Sequence, residues 1–235
     1  MDRPPPYPLW LANILMEPTA PLAHLKLVDV ALPEFPMDTP LTGCMVELKN
    51  LETLELAESA EVLAGVLYHL KIPKKASVTL TCQNCNLAIT TDQSAPLIEA
   101  LFRAWVLAPT SEGGSRGPLR ALQIERSSGV RRLSCWFEDL KFTTPVANRA
   151  PPLLTLIFPE TCNLGDLLPI LLSKGTLETL EVVDYSNEPK DLGYLALSSS
   201  LKTVYLRGNS NGSWKLKEKY AGNAFSFLQE KITCS

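Results

Sequence analysis

A chain of 235 residues can bury a sizeable core, as one large domain or as a short repeat array. At 46% hydrophobic and 20% charged residues it has the composition of a folded soluble protein and is too apolar for a disordered one. A net charge of -3 and a pI near 5.5 argue against a basic nucleic-acid footprint and against a polybasic membrane surface.

From the N-terminus, Met1-Asp2-Arg3-Pro4-Pro5-Pro6 lacks the basic start and apolar run of a signal peptide. Nowhere does the chain reach the roughly 18 apolar residues of a membrane span. A cytoplasmic or nuclear location follows as the expectation, with the six scattered cysteines as reduced thiols. Pro8 to Met16 carries Trp10, Leu11, Ile14 and Leu15, a short amphipathic stretch suited to capping a repeat array, so residues 1–21 read as an N-terminal cap.

A phrase Leu-x-x-Leu-x-Leu then recurs. It appears at Leu22, Leu25, Leu27; at Leu51, Leu54, Leu56; at Leu119, Leu122, Ile124; at Leu177, Leu180, Val182; and at Leu201, Val204, Leu206. Looser copies are Val78, Leu80, Cys82 and Leu154, Leu156, Phe158. The middle anchors at 25, 54, 80, 122, 156, 180 and 204 lie 29, 26, 42, 34, 24 and 24 residues apart, mostly within or at the edge of the roughly 20–29 residue leucine-rich period. Side chains alternate in a strand, so the anchors face one side and must be covered by stacking neighbouring units.

Helical signals lie between the strand phrases. Glu58 to Leu70 places Val62, Leu63, Val66, Leu67 and Leu70 on one face, with Ser59 as cap and Glu61 in the first turn. Ser94 to Leu107 repeats the pattern with Leu97, Leu101, Phe102 and Trp105, and with Pro96 in the first turn. A loop follows at 109–118, rich in Gly, Ser and Pro. Arg132 to Phe137 is an extra strand candidate and Pro145 to Pro152 a second loop. Short helices are expected from Asp166 and over Asp191 to Leu197. The tail 211–235 reads as a mostly helical cap with Phe225, Leu228 and Ile232 inward. The fold expected over 22–210 is an α/β, leucine-rich-repeat-like solenoid, with parallel strands on a concave face and helices on a convex face. A generic α/β core is the alternative.

No catalytic constellation emerges. Cys82-Gln83-Asn84-Cys85 is half a zinc site without a second pair, and it does not directly open a helix as a redox motif should. No metal and no cofactor are expected, and the chain is read as a non-enzyme. His24 and His69 read as surface residues. The candidate binding residues are those between the anchors, which point away from the core: His24, Lys26, Thr53, Glu55, Gln123, Glu125, Glu181, Tyr205 and Arg207. Tyr205 and Arg207 lead, because Tyr and Arg are enriched in binding hot spots.

The run Leu48-Lys49-Asn50-Leu51-Glu52-Thr53-Leu54-Glu55-Leu56, followed by a helix and by Ser77-Val78-Thr79-Leu80-Thr81-Cys82, resembles the degenerate leucine-rich regions of F-box proteins from mushroom-forming (basidiomycete) fungi. Pro118 to Ile124 and Leu133-Ser134-Cys135-Trp136 resemble the same family. The resemblance implies the substrate-recognition part of a ubiquitin-ligase receptor, a protein-binding module. It also implies a partial member, because the first repeat phrase begins at Leu22 and leaves no room for the F-box. Binding to the adaptor of a cullin ligase is therefore not expected of this chain alone. The alternatives are a leucine-rich scaffold unrelated to ubiquitin, and a redox or metal protein built on Cys82 and Cys85.

Overall fold

The computed structural model describes residues 22–28, 46–83, 91–106, 117–127, 129–138, 140, 142, 148–161, 168, 171, 176–183, 200–207, 213–221 and 224–232. Of 91–95, 106, 206–207, 213–221 and 224–232 it describes the backbone alone. The fold is mixed α/β and divides into two compact units, 1–116 and 117–235. The division falls within the sequence-predicted loop 109–118, where a single continuous array over 22–210 had been expected.

Unit 1 contains β1 (His24–Val28), β2 (Val46–Glu47), β3 (Thr53–Glu58), α1 (Ala60–Tyr68), β4 (Leu70–Lys71), β5 (Ser77–Cys82) and α2 (Thr91–Leu101). A π-helical stretch, Phe102–Val106, continues α2. β1, β3 and β5 are parallel, in that order, and β2 pairs with β4 in a separate two-residue ladder. Leu25, Leu54 and Val78 align in one row and Leu27, Leu56 and Leu80 in the next. The anchor of the third phrase is therefore Val78, not Leu80, which shortens that step to 24 residues from Leu54. Leu54, Leu56, Val78, Leu80 and Cys82 are buried, and α1 packs against β3 and β5 to cover them.

Ser59 caps α1 as expected: its backbone is extended (φ -62°, ψ 155°) and its hydroxyl accepts from the Val62 N–H at 3.4 Å. Val62, Leu63, Val66 and Leu67 form the buried stripe, joined by Leu97, Ile98, Leu101, Phe102 and Trp105. α2 begins at Thr91, earlier than its sequence pattern suggested. Pro96 thus lies beyond the first turn and cannot donate to the Asp92 carbonyl. After it the coil widens into the π-helical stretch, whose Ala104 carbonyl accepts from Ile72 at 2.8 Å.

Unit 2 contains β6 (Ala121–Ser127), β7 (Val130–Trp136), β8 (Leu154–Pro159), β9 (Thr179–Val183), β10 (Thr203–Arg207), β11 (Ser213–Ala221) and β12 (Ala224–Ile232). Their order is β8-β7-β6-β9-β10-β11-β12. β6, β9 and β10 are parallel and align Leu122, Leu180 and Val204 as the repeat predicts. The remaining pairs are antiparallel, against the expectation of parallel strands throughout. The extra candidate at 132–137 is real as β7, and it turns the Leu154 phrase into the third strand of a β6-β7-β8 meander. Gly129, at φ +82°, supplies the left-handed residue between β6 and β7. Leu122 consequently neighbours Leu180, 58 residues away, and the Leu154 phrase does not enter the parallel stack.

The helical expectation for 211–235 is overturned by the antiparallel pair β11–β12. Trp214, Leu216 and Tyr220 alternate with Lys215, Lys217 and Lys219, a period-2 pattern that favours a strand, and Gly222-Asn223 between the runs is a hairpin signal. Leu168 and Leu171, from the predicted helix after Asp166, are helical and buried. The cap 1–21, most of the loop 109–118 and the helix 191–197 lie outside the described residues.

One backbone arrangement recurs at the entry to the parallel strands. The Ala23 carbonyl accepts from Glu52 and Thr53 N–H (2.7 and 3.1 Å), that of Arg120 from Glu178 and Thr179 (2.8 and 3.0 Å), and that of Glu178 from Lys202 and Thr203 (2.8 and 3.1 Å). Each acceptor sits two residues before a middle anchor. The Glu52 carbonyl, at the same position, accepts from Ser77 N–H at 2.8 Å.

Candidate binding face

Because the anchors of unit 1 face α1, the residues between them project from the opposite face. In-register pairing sets them in rows: His24, Thr53 and Ser77, then Lys26, Glu55 and Thr79. His24 Nδ1 lies 2.8 Å from Thr53 Oγ1, and Lys26 Nζ lies 2.6 Å from Glu55 Oε2. The Lys26 and Glu55 side chains are 67% and 45% exposed, so the pair is solvated and held weakly. Four expected residues are thus brought together. Ser77 and Thr79, which complete the rows, were missed although the alternation in Val78, Leu80 and Cys82 marks them.

In unit 2 the same construction sets Gln123, Glu181 and Tyr205 in one row. Here the expectation of exposure fails. Glu181 is 1% exposed and Tyr205 8%. Arg149 covers Glu181 and Phe142 covers Tyr205, both from between β7 and β8 in sequence. Arg149 donates from Nη1 to Glu181 Oε2 at 2.7 Å, and from Nη2 to the Phe142 carbonyl at 2.7 Å and to Glu181 Oε1 at 3.4 Å. Gln123 Nε2 donates to the same Glu181 Oε2 at 2.5 Å. The guanidinium lies 5.0 Å from the centre of the Phe142 ring. That ring meets Trp136 and Tyr205 edge-on, at 5.6 and 5.8 Å. Trp136 Nε1 donates to the Ala150 carbonyl at 2.8 Å, which ties the covering segment down a second time. Burial raises the Tyr205 pKa, the Glu181 charge raises it further, and Arg149 partly offsets both.

Neither Phe142 nor Arg149 was singled out by sequence, because a single Arg in a Pro-bounded loop carries no periodic signal. Glu125 sits near the end of β6, opposite Arg132 in the ladder, with a loose 3.8 Å contact at a partly exposed site. Arg207 is described by its backbone alone, opposite Val183 and Ser213.

Cys82 is buried at the end of β5, and Cys85 lies outside the described residues. Among the described residues no group of three or more His, Cys, Asp or Glu could hold a metal ion. Burial pushes the Cys135 thiol up to about 12, so it carries no thiolate at neutral pH. His69, at the end of α1, is lowered by burial and by the charge of Arg103. Comparison with family models, with curated proteins and with solved structures gives no match.

Proposed function

We propose that the chain is a protein-binding module of leucine-rich-repeat-like, solenoid type, and that the polar strand face of unit 1 makes the contact. The observation that carries this reading is the pair of rows His24–Thr53–Ser77 and Lys26–Glu55–Thr79, displayed on three in-register strands whose other face is buried core in β3 and β5 and half-buried in β1. Rigid strands hold such side chains in place at little entropic cost on binding. The Lys26–Glu55 pair is solvated, so a partner can replace it without breaking anything the fold depends on. The recurring carbonyl arrangement before each parallel strand supports a repeat origin. In its specific form the module is the substrate-holding part of an F-box-type ubiquitin-ligase receptor.

Affinity capture from the native cell, run in parallel with the wild-type chain and with the Lys26→Ala/Glu55→Ala variant, tests the face. A partner retained by the wild type and lost from the variant supports it; equal retention removes it. Ubiquitination of the captured partner that depends on the full gene product supports the receptor form. A partner whose ubiquitination is indifferent to it supports the leucine-rich scaffold instead.

A further inference from the structure

We propose that Glu181 and Gln123 form a guanidinium-binding site on the strand face of unit 2, which the chain fills with its own Arg149, so that an arginine presented by a protein partner must displace Arg149 to enter. The site lies within unit 2 and is independent of the contact proposed for unit 1.

The geometry is that of a receptor with its ligand in place. Both Glu181 oxygens face the Arg149 fork, at 2.7 and 3.4 Å, and Gln123 holds the carboxylate from the other side at 2.5 Å. The Phe142 carbonyl takes a further N–H at 2.7 Å, and its ring lies 5.0 Å from the guanidinium carbon. A planar fork fits such a set of acceptors, whereas a lysine ammonium, a point charge, does not. Gln123, Glu181 and Tyr205 occupy positions one past the middle anchors, which in unit 1 carry the exposed Lys26, the partly exposed Glu55 and the half-buried Thr79. They belong to an outward-facing row. Arg149 reaches them from a connecting segment, as a foreign side chain would. A buried carboxylate needs a counter-charge, so Glu181 demands a cation whichever chain supplies it. Exchanging one guanidinium for another preserves each of these hydrogen bonds. Tethering gives Arg149 an effective concentration in the ~mM range, so the wild-type site resists a free ligand and yields only to a partner that makes further contacts.

The test is chemical rescue of the full chain carrying Arg149→Ala, followed by thermal unfolding in methylguanidinium and, separately, methylammonium at the same low concentrations. Arg149→Ala lowers the melting temperature, and methylguanidinium restores most of the loss in a saturable way. Methylammonium does not, and neither ligand raises the melting temperature of the wild type or of Arg149→Ala/Glu181→Gln. Should Arg149→Ala not fold unaided, its refolding yield with and without methylguanidinium reads the same quantity. Equal shifts for both cations, equal shifts with and without Glu181, or no gain in melting temperature or yield would each overturn the proposal.

Discussion

In unit 1 the charged pair of the row Lys26–Glu55–Thr79 stands in solvent, with the Lys26 side chain 67% exposed. In unit 2, in the corresponding row Gln123–Glu181–Tyr205, Glu181 and Tyr205 lie beneath Arg149 and Phe142, with Glu181 at 1%. Both rows follow the same leucine-rich phrase at the same offset, and both alternate with apolar anchors that are buried or half-buried. What separates them is a connection in unit 2 that carries an aromatic ring and a cation to the strands. Alternation fixes which face a residue takes but not whether that face stays wet. The consequence is energetic. The same kind of charged pair is solvated in one unit and is a desolvated, hydrogen-bonded element in the other.

The largest expected effect is at Glu181. Glu181→Ala leaves Arg149 buried without its counter-charge and should cost about 3–5 kcal/mol in urea unfolding. Replacing both partners, as Glu181→Leu with Arg149→Met, should recover most of that loss, because an apolar pair of similar volume is often neutral. A cost for Glu181→Ala no greater than that of an exposed substitution would erase the contrast between the two rows.

The anchors beneath the rows should behave alike. Leu54 and Leu122 are 0% and 1% exposed at equivalent positions. Leu54→Ala and Leu122→Ala should each cost about 2–5 kcal/mol through lost burial and the cavity left behind. A large cost at only one of them would confine the shared design to that unit.

A smaller, pH-gated effect separates the cores. Cys135, in unit 2, has its thiol pushed up from 9.0 to about 12 by burial. A raised pKa favours the protonated form in the fold, so the contribution is complete below pH 9 and is lost as the pH rises from 9 towards 12. His69, in unit 1, is lowered below 6.5 by burial and by Arg103, so its contribution is complete above pH 6.5 and lost as the pH falls below it. Cys135→Ala should therefore flatten the alkaline limb of the stability profile, and His69→Gln the acid limb. Alkylation of Cys135 at neutral pH should require unfolding. Labelling as fast as that of a small-molecule thiol would show that the core around it opens readily.

Much of this arrangement is legible in the residues. Leu25, Leu54, Leu122, Leu180 and Val204 are the true anchors, and Ser59 announces the start of α1, because local periodicity and capping chemistry act over a few residues. The register of β5 is not fixed by its own pattern, since Val78 and Leu80 are equally apolar and only pairing with Leu54 and Leu56 decides between them. The antiparallel course of β7 follows from the short turn that joins it to β6, which allows only a hairpin, whereas that of β8 is not written in its composition, because the connection 137–153 is long enough for either direction. The covering of Glu181 is the least legible feature. It depends on Arg149 and Phe142, which are remote from Glu181 in sequence and unremarkable where they stand. The strand pattern of Ser213 to Ile232, by contrast, was present in the alternating lysines and was obscured by apolar residues at 225, 228 and 232 that also fit a helix.

The smallest effect on stability belongs to Lys26 and Glu55, and it is the most informative about function. A double-mutant cycle between Lys26→Ala and Glu55→Ala should give a coupling of about 0.2–1 kcal/mol, because water already solvates both charges and salt screens them. The coupling should shrink further when salt is raised from low to physiological strength. The matching pair in unit 2, Arg149 and Glu181, should keep its coupling under the same change, since buried charges are screened far less. If the Lys26–Glu55 coupling approached that of the buried pair, or ignored salt, then unit 1 would also have a covered face. The rows proposed for partner binding would then be structural, and the place to look for a contact would shift to the guanidinium site under Arg149.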